Sequence, residues 1–224
     1  MPVLRSGSLA QYHHPDFAVD MASTHQAEGR FLIEYFENNV RQGVRFGDGD
    51  TINIGWGRLK LFDESGVLVV REPSFDEMPI KWMGGANKTY AHMSLQKQVC
   101  SEIGVEPDFP SFMQAGIVSE YILHHSTPFQ MDRHSGDGQK NSGWALYEIG
   151  KTDAKAVKWV SLYEVSTIYP QTIPFFALPQ GAMVMYEKDE IQVDYAGKQI
   201  NSNSNAFLRR LLTSKNFGSG HFDG

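Results

Sequence analysis

The chain has one cysteine, Cys100, in 224 residues, so it can form no internal disulfide and offers no thiolate pair for a zinc site. That usage fits a reducing compartment, and a cytoplasmic location is the expectation. No run of about 18 apolar residues is long enough to cross a bilayer, and the opening MPVLRSGSLAQYHHPDF lacks the long apolar core of a secretory signal. No membrane role is expected. Positive charge is in deficit too. Lys plus Arg number 20 against 26 for Asp plus Glu, a net charge of −6, the wrong sign for neutralising phosphates over a broad surface. Residues 1–107 carry 10 basic and 14 acidic groups and residues 108–224 carry 10 and 12, so neither half is a basic arm. Direct nucleic-acid binding is disfavoured. An acidic surface favours encounter with a basic protein, although mild acidity also serves solubility.

Catalytic and cofactor signatures are equally scarce. No GxxxxGK[ST] phosphate cradle and no G-x-S-x-G nucleophile elbow occurs. Gly47 and Gly49 lack a third glycine at dinucleotide spacing and precede strand-like sequence rather than a helix. Asp48-Gly49-Asp50 invites a calcium reading, because hard cations want clustered carboxylates on a tight loop. The remaining ligands are absent, which leaves an ordinary turn as the expectation. His124 and His125 adjoin, and on a strand they point to opposite faces, so they do not converge with His134 on one zinc ion. Cys100 follows His92 by eight positions on an expected helix, a spacing that implies no dyad; a buried small side chain is the plainer reading. No catalytic residue, metal or cofactor is expected.

What the chain does have is material for cores: 41% hydrophobic and 12% aromatic residues, with four tryptophans. Phe31, Leu32, Tyr35, Phe36 and Val40 recur with helical spacing after possible caps Ser23 and Thr24, predicting a helix over 25–41. Leu59–Phe62 and Val67–Val70 flank Asp63-Glu64-Ser65-Gly66 and predict a β-hairpin. Leu95, Val99 and Ile103 predict a helix over 88–103, stopped by Gly104. Prolines in Glu106–Pro110 then stiffen the chain, and the domain boundary is placed there. Beyond it, strands are expected at Ala115–Leu123, Phe129–Arg133 and Trp144–Ile149, a helix near Leu162–Tyr169, and strands at Met183–Tyr186 and Ile191–Tyr195. The expected fold class is α+β with two small domains, each an antiparallel sheet with one or two packed helices. They span 1–107 and 111–198, followed by a tail over 199–224 whose last residues are expected to be mobile.

One stretch is more specific. Gly116-Ile-Val-Ser-Glu-Tyr-Ile-Leu, Phe129-Gln-Met-Asp-Arg, Asn141-Ser-Gly-Trp-Ala-Leu-Tyr-Glu-Ile-Gly, Val160-Ser-Leu-Tyr-Glu-Val and Ile173-Pro-Phe-Phe-Ala-Leu-Pro-Gln-Gly-Ala-Met-Val-Met-Tyr-Glu follow in order. Together they resemble a bacterial family, formerly a domain of unknown function, grouped with immunity proteins of polymorphic and contact-delivered toxin systems. Asn141 stands where that family usually has Asp before Ser-Gly-Trp, and Met131-Asp132-Arg133 where it has Tyr-Arg-Glu. The matching region covers about residues 112–190, and the resemblance assigns residues 1–107 to no family.

The resemblance implies a non-enzymatic protein that binds a cognate toxin, encoded beside it, and occludes the toxin's active site in the producing cell. Interbacterial competition, with type VI secretion as one delivery route, is the implied setting. A nuclease with a basic cleft would suit the net charge. Acidic loop residues are then the expected contacts: Asp48, Asp50, Asp63 and Glu64 in the first half, Asp132 and Asp137 in the second. Solvated charge is the plain alternative for each. For Ser142-Gly143-Trp144 a structural role is expected, Gly143 permitting a tight turn and Trp144 filling a sheet face. The competing functional classes are a hydrolase and a ligand-binding regulatory protein, each with a site between the two domains.

Overall fold

A computed structural model describes residues 2–124, 128–150 and 156–214. By density of contacts the chain divides between Ala91 and His92 into two units, each built on its own sheet. The α+β class holds for both.

In the first unit, β1 (Val3–Arg5), β2 (Asp16–Asp20), β3 (Thr51–Ile54), β4 (Gly57–Asp63), β5 (Val67–Pro73) and β6 (Trp82–Gly84) form a six-stranded sheet around α1 (Gln26–Arg41). Its order is β1-β2-β5-β4-β3, with β6 also on β5. The predicted hairpin is β4 and β5, antiparallel from Lys60↔Arg71 to Asp63↔Leu68. Alternation along β4 buries Gly57, Leu59 and Leu61. One pair departs from the expected antiparallel pattern: β2 runs parallel to β5, with α1 and the β3–β4 segment in the intervening chain. On α1, Leu32, Ile33, Phe36 and Val40 are buried and Phe36 stacks on Phe17 at 4.4 Å, while Phe31 and Tyr35 face solvent. Ser23 and Thr24 lie in a 3-10 turn and cap nothing with their side chains.

α2 (Asn87–Ile103) begins on a buried carboxylate. Glu72 of β5 accepts the amides of Lys88 at 3.0 Å and Thr89 at 2.7 Å, two of the helix's first free N–H groups. The later turns of α2 belong to the second unit, where Gln96 Nε2 donates to Ile173 O at 3.0 Å and Cys100 Sγ–H to Ala177 O at 3.3 Å. The division by contacts therefore falls inside this helix, whereas the proline-rich segment Glu106–Pro110 is where the sequence places the boundary.

The second unit continues with β7 (Ala115–Ser119), α3 (Glu120–His124), β8 (Phe129–Arg133), β9 (Asn141–Glu148), β10 (Val157–Ser161), α4 (Leu162–Ile168), β11 (Met183–Tyr186), β12 (Ile191–Tyr195), β13 (Lys198–Asn201) and α5 (Ala206–Thr213). Its sheet runs β10-β7-β9-β8-β11-β12-β13. Again one pair, β7 with β9, is parallel among antiparallel neighbours. The apolar run expected as a strand over 115–123 turns helical at Glu120. Ser161 caps α4 by accepting the Glu164 amide at 3.1 Å, and Asn205 caps α5 by accepting that of Leu208 at 2.9 Å. The start of the expected tail is therefore built into β13 and α5; its terminal residues lie outside the described residues.

Candidate partner-binding site

Four of the six acidic residues singled out in the sequence meet at one end of the first sheet. The loop before β3 is tied to β4 by Gly49 N to Leu61 O at 2.9 Å and Leu61 N to Asp50 O at 2.8 Å. Asp48 Oδ1 accepts the Asp63 amide at 2.9 Å, Asp50 Oδ2 that of Gly47 at 2.8 Å, and Asp63 Oδ1 that of Gly66 at 2.8 Å. Glu64 pairs with Arg71 at 2.5 Å. All four residues are exposed. The expected turn at Asp48–Asp50 is thus held by its own carboxylates. Among the described residues no group of three or more His, Cys, Asp and Glu side chains is arranged to hold a metal ion.

The other two lie in the second unit and do not meet. Asp132 on β8 accepts Gln130 Nε2 at 3.0 Å. Asp137 sits in the β8–β9 loop, where one oxygen accepts the amides of Gln139, Lys140 and Asn141, each at 2.8 Å. Those bonds, Asn141's first, hold its carboxyl below the usual carboxylate range.

The Ser-Gly-Trp sequence fixes the same loop. Gly143 has φ +82°, and a Cβ there would stand 2.2 Å from His134 O, so only glycine fits. Asn141 Oδ1 accepts the Gly143 amide at 2.8 Å, an acceptor role that an aspartate could fill equally. Ser142 Oγ donates to Ala115 O at 2.9 Å and accepts from Trp144 N at 3.2 Å. Trp144 is buried, its indole N–H on Phe176 O at 3.1 Å. Turn and core filling, the expected roles of Gly143 and Trp144, are what the structure displays.

Beside this loop lies a polar cavity of about 290 Å³, lined among others by Asp108, Gln114, Arg133, His134, Asn141 and Gln180. Arg133 ends β8 directly opposite Trp144 of β9, and its guanidinium lies over the indole at 5.4 Å. The residue is only 7% exposed. Its Nη2 reaches Asp108 Oδ2 at 3.5 Å, and its Nη1 is buried with no hydrogen-bond partner among the described residues. Burial pushes the guanidinium pKa down while Asp108 opposes the shift.

No motif marks this site in the sequence. Asp108 and Arg133 are 25 positions apart and meet only in the fold. The legible signal was alternation along β8: Phe129, Met131 and Arg133 share one buried face, and an arginine closing an inward-facing apolar row calls for a partner. Of the histidines, His134 lines the cavity, His124 sits on α3, and His125 is outside the described residues. Cys100 is fully buried, and desolvation, reinforced by Asp108 and Glu106, raises its thiol to about 11, so it holds little thiolate at neutral pH.

Residues 95–196 match the family model described as the Imm33-like domain. The matched span starts on α2 and contains Arg133, the β8–β9 loop and Trp144. No curated protein and no solved structure matches the chain.

Proposed function

Residues 95–196 belong to the Imm33-like domains, an immunity-protein family, and from that premise we propose that the chain binds a cognate toxin and neutralises it by covering its active site. The family match is the observation that carries this reading. The toxin is the product of the neighbouring reading frame, and protection acts in the cytoplasm of the producing cell, as in interbacterial competition with type VI delivery. A nuclease is the favoured target class, since a net charge of −6 complements a basic cleft.

On this reading Asp48, Asp50, Asp63 and Glu64 form one contact patch, and Asp132 and Asp137 contribute from the second unit. The first three carboxylates are held by backbone amides. A pre-ordered charge loses less side-chain freedom on binding than a free one, and association of about 800 Å² per partner gains from every ordering cost already met in the free protein. Co-expression with the neighbouring toxin tests the proposal: survival and a co-purifying complex are expected, and charge reversal at Asp48, Asp50, Asp63 and Glu64 together weakens both. Cell death without any complex would overturn it.

A further inference from the structure

We propose that the Arg133 cavity is a carboxylate-binding pocket, occupied in the bound state by an acidic side chain of the protein partner. The guanidinium is more than nine-tenths buried, yet one of its two terminal nitrogens has no acceptor among the described residues. A buried cation left half-paired carries a desolvation cost that a well-placed anion offsets. Asp108 does not serve: it approaches one nitrogen only, at 3.5 Å, beyond the roughly 2.7–2.9 Å of a good charge-assisted bond, and its own side chain is 59% exposed. It is a placeholder. A carboxylate entering the cavity and displacing Asp108 takes over Nη2, and a small turn of the guanidinium toward it brings the buried Nη1 into the planar two-point match that a guanidinium offers.

The walls select for charge and size. A cavity of about 290 Å³ accepts a carboxyethyl group with water beside it. A dianionic phosphate would be repelled more strongly by Asp108 than a single carboxylate is. The loop that shapes the entrance is rigid by construction, with Asp137 holding three amides and Gly136 and Gly143 packed backbone to backbone, so the pocket exists before its occupant arrives.

That the occupant comes from a protein rests on the immunity reading; the chemistry of the pocket can be tested without a toxin. The probe is N-acetyl-glutamate amide, whose only carboxylate is its side chain, titrated into the full chain while the Trp144 indole N–H is followed by NMR and assigned with Trp144→Phe. A saturable shift is expected in the millimolar range. Arg133→Lys should weaken binding about tenfold, the equivalent of one charge-assisted bond. Asp108→Asn should strengthen it several-fold, a gain that misfolding cannot imitate. N-acetyl-glycine, carrying only a terminal carboxylate, and inorganic phosphate form the comparison arms. Binding confined to either of those, or an affinity unmoved by both substitutions, would overturn the proposal whatever the co-expression result. Glutamate-side-chain binding alongside failed co-expression would keep the pocket and remove the toxin.

Discussion

Glu72 in the first unit and Arg133 in the second are both buried charges, and the two are treated differently. Glu72 in the first accepts two backbone amides at 3.0 and 2.7 Å, with Lys88 close by. Arg133 in the second has one long ion pair, the face of Trp144 and an orphaned nitrogen. Burial works against both, pushing the Glu72 carboxyl up and the Arg133 guanidinium down. Only Glu72 has partners enough to be explained by folding. A buried charge whose bonds are complete belongs to the architecture; one whose bonds are incomplete points outward to something that completes them.

The contrast is broken most forcefully at Glu72. Glu72→Ala strips the acceptor from Lys88 N and Thr89 N inside the fold, two bonds to a charged group at about 1.5–3 kcal/mol each, so the chain should lose about 4 kcal/mol in urea unfolding. A loss below about 1 kcal/mol would mean that water replaces the carboxylate and that Glu72 is no keystone of α2.

Neither charge was singled out from the sequence, though the elements that carry them were. Helical spacing placed α1 and α2 within a residue of their observed ends, and β8, β11 and β12 coincide with their apolar runs. Local pattern failed where a contact is long-range. Asp16–Asp20 has too few alternating residues to declare itself, and its parallel pairing with β5 depends on some 50 intervening positions. In Ala115–Leu123 two short apolar stretches on either side of Ser119-Glu120 conceal a change from strand to helix at Glu120, since short runs fit either period. The acidic corner was half legible: Asp48, Asp50, Asp63 and Glu64 were named singly, and the bonds that tie the loop before β3 to β4 bring them together.

A smaller effect sharpens the comparison through groups buried in the neutral state. Burial raises Tyr90 in the first unit to about 12 and Cys100 in the second to about 11. A raised acid favours the folded state below its unfolded pKa, and the gain is lost as pH climbs through the folded value. For Cys100 the window opens at 9.0 and closes near 11; for Tyr90 it runs from 10.0 to about 12. Urea midpoints should therefore fall above pH 9, first through the cysteine. Cys100→Ala should remove the early part of the decline and Tyr90→Phe the later part. Identical slopes in wild type and Cys100→Ala would show that the thiol is solvated.

The smallest expected change in stability is the most telling. Arg133→Met replaces the guanidinium by an unbranched apolar chain over Trp144 and, in a residue only 7% exposed, ends the desolvation of a half-paired charge. Against that stand the loss of a cation–π contact, about 0.5–2 kcal/mol, and of an ion pair whose other member is mostly in water. The two sides nearly cancel, so the urea midpoint should move little or rise. Glutamate-side-chain binding, by contrast, should vanish. A residue that folding can spare and a ligand cannot is a recognition residue, and the pairing of a small stability change with complete loss of binding separates it from Glu72. If Arg133→Met instead unfolded the chain as Glu72→Ala is expected to, the guanidinium would have to be satisfied internally, and the two buried charges would be of one kind.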